Sequence, residues 1–511
     1  MRRPGAGRSA SCIGLVKYGV VPMGDPNVHT RSQLYWNALL KIPAQVVAFA
    51  ISIVVARILT PADYGIMGIA MMLIGFSNLL TDFGFSSAIV QRQVKDSDSL
   101  YSVFTLNLAI STALAAGFVL ASNSIANFFR SPECRSVVVV MSSFFVITSF
   151  SAVPRAILSR DLRFKTLSLV DAMSAITMSV ATLMLALAGL RYWALAFGQL
   201  LPAAFFACYL CIAVRWLPVI RFRRSSLSPL LHFSAWSFAK TQITFGLNQL
   251  DRVLLGRFSG VVSLGFYDKA RSVAAVPSDS FLAGVNAVLF SSFSQRKHDD
   301  DDVRGLLKKG LMATSLLSFP LYVGLCLVAK PFVVGLMGEK WAPMVVPFQV
   351  ITASYAIRSI GGLLASVNVG IGRYQAHTVR YSIAGAVFAL SCAVLLRYGV
   401  TGISAAFLVF AVTSVGLTLH LAVAATGVRW GEVLRALRPA TAATLVMSGV
   451  TWLLSRVLAA PTIANLFLLS GVGAVAYVLC LAVEREPGFL LLRRAVISDW
   501  AGLMSPKTRE F

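Results

Sequence analysis

Charge is scarce in this chain. Of 511 residues only 13% are Asp, Glu, Lys or Arg, 57% are hydrophobic, and the mean hydropathy is +0.76. So few charges cannot cover the surface of a soluble protein of this size. Cysteine is sparse and scattered, at 12, 134, 208, 211, 326, 392 and 480, so no disulfide framework follows. Cys208-x-x-Cys211 falls inside an apolar run, where helix packing is its simplest use. No G-x-x-x-x-G-K-[ST], H-E-x-x-H or G-x-S-x-G pattern occurs, and the five histidines lie far apart. Nothing therefore points to ATP hydrolysis, a metal, a cofactor or an enzyme. Alternating segments of about 10 residues, the mark of a membrane barrel, are also missing. So are long polar loops, which leaves no room for a soluble catalytic domain.

What the chain has is apolar runs of about 20 residues, each long enough to cross a hydrocarbon core of about 30 Å. The fold class is all-α, a polytopic membrane protein with about fourteen spans. These are 34–57, 64–90, 101–125, 136–158, 166–189, 192–214, 231–256, 262–293, 306–329, 343–371, 376–396, 401–425, 438–458 and 462–484. Residues 1–33 read as a cytoplasmic tail rather than a signal peptide, because Pro4 and Pro22 interrupt any apolar core. The expected units are an N-lobe at 34–214, a linker at 215–230 and a C-lobe at 231–425. Two further helices follow at 426–484, then a cytoplasmic tail at 485–511. The acidic run Asp299–Asp302 reads as a solvated loop.

The two lobes are inferred from a repeat. Arg57 and Gly65 are matched by Arg257 and Gly265, two hundred positions later, and in both copies the Arg ends one span and the Gly starts the next. Gly84 is answered by Gly284, and Gln91-Arg92 by Gln295-Arg296. Internal repeats are a common plan in membrane transporters.

A net charge of +24 raises the question of nucleic acid. The bases, however, fall in short clusters between spans, which is a topogenic pattern and not a nucleic-acid face. With the N-terminus placed inside, 30 of the 45 Lys and Arg fall in inside segments, 9 in outside loops and 6 within spans. Both termini are thus expected to be cytoplasmic, and the repeat runs parallel.

Charges within spans cost roughly 2.5–3.5 kcal/mol each at a helix centre, so each needs a partner or a wet cavity. On the first span Asn37, Lys41 and Gln45 share one face. The seventh repeats the spacing with Lys240, Thr244, Asn248 and Arg252, and Asp251 joins that stripe. The eighth adds Asp268, Lys269, Arg271 and Asp279, and the tenth adds Arg358. Lys41, Lys240, Arg271 and Arg358 are candidate cavity cations for an anionic substrate, with Asn37, Gln45, Asn248 and Arg252 as polar lining. Asp251, Asp268 and Asp279 are candidates for ion coupling. The competing use for such residues is snorkelling to the interface or pairing between helices, and this fits Asp82, Arg57 and Arg257 best.

Two segments, Val55-Ala-Arg-Ile-Leu-Thr-Pro-Ala-Asp-Tyr-Gly65 and Phe83-Gly-Phe-Ser-Ser-Ala-Ile-Val-Gln-Arg92, resemble the polysaccharide transporter family of the multidrug/oligosaccharidyl-lipid/polysaccharide exporter superfamily. The second lobe is similar too, at Asp251-Arg252, Gly256 and Leu264-Gly-Phe-Tyr-Asp-Lys-Ala270, although Phe290-Ser291 stands where the family often has Phe-Pro. The resemblance implies a V-shaped bundle around a central cavity. It also implies alternating-access flipping of a polyprenyl-pyrophosphate-linked oligosaccharide across a bacterial inner membrane, from the cytoplasmic to the periplasmic leaflet, for surface polysaccharide synthesis. Its implied partners are the lipid-linked oligosaccharide, membrane lipid, and a glycan polymerase with its co-polymerase. The alternatives are a multidrug exporter of the same superfamily, which would favour an acidic cavity, and a membrane glycan polymerase or ligase, which would need a large outside loop. A structural membrane scaffold is disfavoured by the charges inside the spans.

Overall fold

The computed structural model describes residues 40–82, 89, 96–223, 246, 249–278, 300–458 and 460–483. Among the described residues every regular element is helical. The first six helices are α1 (Ile42–Ile58), α2 (Pro61–Asp82), α3 (Ser97–Phe129), α4 (Glu133–Arg160), α5 (Phe164–Leu187) and α6 (Tyr192–Val214). They are followed by α7 (249–258), α8 (Gly260–Pro277), α9 (Asp300–Leu327), α10 (Val345–Gly370) and α11 (Tyr374–Leu395). The last three are α12 (Gly399–Thr426), α13 (Trp430–Val457) and α14 (Ile463–Val483). Nine helical stretches among the described residues are long and apolar enough to cross a membrane, one of them the joined Tyr374–Thr426. The expected sites Asn37, Lys240, Asn248 and Asp279 lie outside the described residues, as do Gly84, Gly284, Gln91-Arg92, Gln295-Arg296 and Phe290-Ser291.

Local chemistry sets the helix ends. Pro61 opens α2 at a position where a missing amide hydrogen costs nothing. The Asp63 carboxylate accepts from the Thr60 amide at 2.9 Å and the Thr60 hydroxyl at 2.7 Å, while the Asp63 amide donates back to that hydroxyl at 3.3 Å. Asp96 caps α3 by accepting from the Asp98 and Ser99 amides. Hydrogen bonds from the Ser99 hydroxyl and amide hold the Asp96 carboxyl below the usual range. Gly189 and Gly427 supply the left-handed turns after α5 and α12.

Two segments read as loops are ordered. Residues 300–302 of the acidic run form the first turn of α9, because a helix N-terminus favours acidic residues. Pro331–Met337 forms a π-helical segment and Glu339–Met344 a 3-10 turn, joined at Gly338 with φ 101°. Within the linker, residues 216–223 run along the start of α3. Arg221 and Arg223 each reach Asp98 at 2.9 Å, their backbones bond to Thr105 and Ser102, and the Trp216 ring stacks on Tyr101.

Packing divides along the chain. One apolar core joins α2, α3, α4 and α6 through Ile69, Phe129, Val137, Phe145 and Leu200. A larger one gathers α8, α10, α11 and α12 around Tyr267, Trp341, Phe348 and Phe407. Large apolar side chains such as Leu120, Ile212 and Phe467 remain exposed, and on this architecture they face lipid. The bridge between the groups is α2 against α8. A Cβ on Gly65 would lie 1.7 Å from the Val261 carbonyl oxygen, and one on Gly265 1.8 Å from that of Pro61. The matched glycines of the repeat therefore meet each other, because only hydrogen side chains let two backbones come so close.

Gly65→Ala and Gly265→Ala should each destabilise the protein by about 1–3 kcal/mol, the usual cost of overpacking. Heat-induced loss of the monodisperse peak in detergent measures this. Gly117→Ala, where nothing lies within 4 Å, should be neutral. Equal losses at all three positions would contradict the close crossing.

Candidate functional site

The charges read from the seventh and eighth spans come together. Asp251 on α7 is fully buried and accepts from Arg271 and from the Tyr267 hydroxyl on α8, both at 2.5 Å. Arg252 donates to Asp268 at 2.6 Å and to Gln249 at 2.7 Å. Adjacent residues on α7 thus hold adjacent turns of α8 through two separate carboxylate–guanidinium pairs. A buried carboxylate is tolerated only with such partners. Lys269, also buried, donates to the Ser52 carbonyl at 3.2 Å and lies 4.9 Å from the centre of the Tyr64 ring. It ties α8 to α1 and α2.

Arg358, midway along α10, extends the cluster. Its guanidinium lies 5.1 Å from the centre of the Phe407 ring and 5.2 Å from that of Phe410. Arg271 sits 5.0 Å from the same Phe407 ring. The two arginines therefore share one aromatic face-former on α12. Among the described residues Arg358 has no carboxylate partner. Among the described residues the cluster brings Arg252, Lys269, Arg271 and Arg358 together with Asp251 and Asp268, four cations with two carboxylates.

Lys41 stands apart from this cluster. Its ammonium pairs with Asp171 on α5 at 2.7 Å, and Arg155 on α4 takes the other carboxylate oxygen at 2.7 Å. Gln45 follows Lys41 one turn later on α1 and is exposed. Of the four expected cavity cations, Arg271 and Arg358 are neighbours, Lys41 belongs to a separate triad, and Lys240 lies outside the described residues. Asp251 and Asp268, read as candidates for ion coupling, are each engaged by an arginine.

Sequence reasoning did not single out Asp171, Arg155 or Tyr267. Asp171 lies inside a span and meets the same intramembrane-charge criterion as Asp251. Arg155 follows Pro154 near a span end, and Tyr267 reads as an ordinary apolar-face aromatic.

The family profile described as "Polysaccharide biosynthesis protein" matches residues 54–346. The chain belongs to that family. Members of similar sequence include "Lipopolysaccharide biosynthesis protein WzxC" of Escherichia coli (strain K12), 25% identical over 350 residues, covering 66% of this chain and 69% of that one. "Succinoglycan biosynthesis transport protein ExoT" of Rhizobium meliloti (strain 1021) is 28% identical over 308 residues, covering 60% and 62%. The fold matches "Lipid II flippase MurJ, inward closed conformation" with a TM-score of 0.68, at 16% identity, over 92% of this chain and 100% of that one. It also matches an inward-facing "multidrug resistance MATE family transporter" with a TM-score of 0.53, at 16% identity, over 80% and 96%. The family match ends at residue 346, in the first turn of α10, so Arg358 lies beyond it, while the Asp251–Arg271 network lies within it.

Removing Asp251 would leave Arg271 buried against Tyr267 with its main counter-charge gone. Asp251→Asn should destabilise the protein by about 3–5 kcal/mol, read from thermal unfolding in detergent. An apolar pair, Asp251→Leu with Arg271→Met, should recover much of the loss. Strictly additive effects of the two substitutions would contradict a direct pair.

Proposed function

We propose that this chain is a flippase that moves a polyprenyl-pyrophosphate-linked oligosaccharide across the cytoplasmic membrane for surface polysaccharide synthesis, by alternating access. The observation that carries this is Arg358, a cation with no carboxylate partner among the described residues. A guanidinium that, among the described residues, is held by the faces of two phenyl rings, midway along a membrane helix, offers its donors to a ligand. A pyrophosphate has the charge and the paired oxygens that such donors fit. Family membership and the names of the relatives support a glycan-linked cargo.

In this scheme the prenyl tail stays in lipid while the head group crosses a polar path between two six-helix lobes. Fourteen spans, both termini cytoplasmic and two helices beyond the lobes complete the arrangement, supported by the asymmetry of basic residues. Asp251 and Asp268 act as positioning residues that aim Arg271 and Arg252. Their engagement by arginines weighs against a direct ion-coupling role. Lys41, with Arg155 and Asp171, is a further contact for the head group, and Lys240 remains a proposed cation of the same path. A polymerase and co-polymerase are proposed to receive the flipped product. The multidrug alternative has the second fold match in its favour, but organic cations suit an acidic cavity, and the described cluster has an excess of cations.

The test is binding by the purified full-length protein. It should retain polyprenyl pyrophosphate carrying a glycan in preference to the monophosphate, as measured by native mass spectrometry. Arg358→Ala should weaken that retention by on the order of tenfold or more, and Arg358→Lys should weaken it less. Equal retention of both lipids by parent and Arg358→Ala would remove the pyrophosphate assignment.

A further inference from the structure

The two arginines matched by the repeat, read as snorkelling residues, do something more specific. Arg57, in the last turn of α1, donates to the carbonyl oxygens of Gly335 and Leu336, the latter at 2.5 Å. Those carbonyls lie near the C-terminal end of the Pro331–Met337 helix, nearly 280 residues away in sequence. The contact is answered from the other side. Lys340 donates to the Arg57 carbonyl at 2.7 Å, and the buried Trp341 indole donates to the Ala56 carbonyl at 2.9 Å. The C-terminal end of α1 thus meets the Pro331–Met337 helix and the 3-10 turn that follows it, and donors on each side reach carbonyls on the other. Tyr64 and Phe266 pack edge-on against Trp341 beneath this contact.

Arg257 repeats the arrangement in the opposite sense. It ends α7 and donates to the Phe128 carbonyl at 2.8 Å, at the C-terminus of α3, with its guanidinium 5.2 Å from the centre of the Phe128 ring. Each arginine therefore reaches from its own half of the repeat to a helix end in the other half. Between the two lies the Gly65–Gly265 crossing. No carboxylate partner of either arginine occurs among the described residues. Their charge is matched instead by the partial negative charge of helix C-termini, which is a modest and reversible attraction.

We infer that Arg57 and Arg257 form a paired latch that holds the two halves of the bundle together at this end, and that transport requires both to release. It rests on the alternating-access reading for its role, and on the proposed topology for placing the latch at the outer face. Its test is independent of the cargo. Arginine–carbonyl contacts suit a latch because release frees carbonyls that water can satisfy, whereas opening a buried ion pair would strand charge.

The test is a distance across the halves. Spin labels are placed at Ala188→Cys and Tyr398→Cys, both exposed and in turns at this end. The full-length chain carries serine at its other cysteines and is reconstituted in lipid without substrate. In the Arg57→Ala/Arg257→Ala variant the longer-distance population should rise about tenfold relative to the arginine parent, with each single variant part-way and the double Lys variant nearer the parent. Hydrogen exchange of residues 331–341 in the native-cysteine chain provides the second readout. Faster exchange there with no change in the Ala188–Tyr398 distances would show that the arginines only cap helices, and would overturn the latch. If the double variant cannot be purified, the single variants decide. A part-way shift in both supports the latch, and no shift in either overturns it. Loss of pyrophosphate binding with the latch intact would count against the cargo assignment alone.

Discussion

The close approach of α2 to α8 constrains everything around it. With a carbonyl oxygen less than 2 Å from where each Cβ would sit, Gly65 and Gly265 admit no side chain. The two helices cross backbone to backbone. That crossing fixes how far apart the helix ends stand, so that Arg57 reaches Gly335 and Leu336 while Arg257 reaches Phe128. It also sets α8 where Asp268 lies against Gly68 and Lys269 reaches the backbone of α1. In lipid, where apolar burial supplies little drive for helix association, such backbone contacts and buried polar pairs carry the specificity.

The polar network follows from the same placement. Once α8 is fixed, Arg271 and Arg252 must be neutralised: α7 supplies Asp251 to Arg271, while Arg252 takes Asp268 of α8 and the Gln249 amide oxygen one turn back on its own helix. Arg358 is treated differently, by the ring faces of Phe407 and Phe410. Ring faces soften the desolvation of a guanidinium without occupying its donors. Among the described residues, Arg252 and Arg271 are thus committed to carboxylates and Arg358 to ring faces, and the distinction lies in their partners rather than in their residue type.

Much of this was legible in the sequence, for stated reasons. Low charge and repeated apolar runs specify a polytopic helical bundle, and the two-hundred-residue offset marks Arg57, Gly65, Arg257 and Gly265 as equivalent. That these residues touch across the repeat was not legible, because their partners are carbonyl oxygens, which carry no residue identity. The cost of intramembrane charge marks Asp251, Arg252, Asp268 and Arg271, but which acid takes which base depends on the rotation of two helices. The same criterion marks Lys41 without revealing Asp171 and Arg155 as its partners. The Pro331–Met337 helix stayed hidden because a proline at its start and Gly338 at its end read equally well as a loop. The acidic run at 299–302 read as solvated, although acidic residues also favour a helix start.

The most direct measurement of the central claim is translocation itself. The purified chain is reconstituted into vesicles carrying a polyprenyl-pyrophosphate-linked oligosaccharide, and an impermeant glycan-modifying enzyme is added outside. In empty vesicles only the lipid already in the outer leaflet is modified. With the protein present, the modified fraction should rise toward completion, while vesicles carrying polyprenyl monophosphate should remain near the empty-vesicle level. A modified fraction that does not differ between vesicles with and without the protein would contradict the flippase assignment.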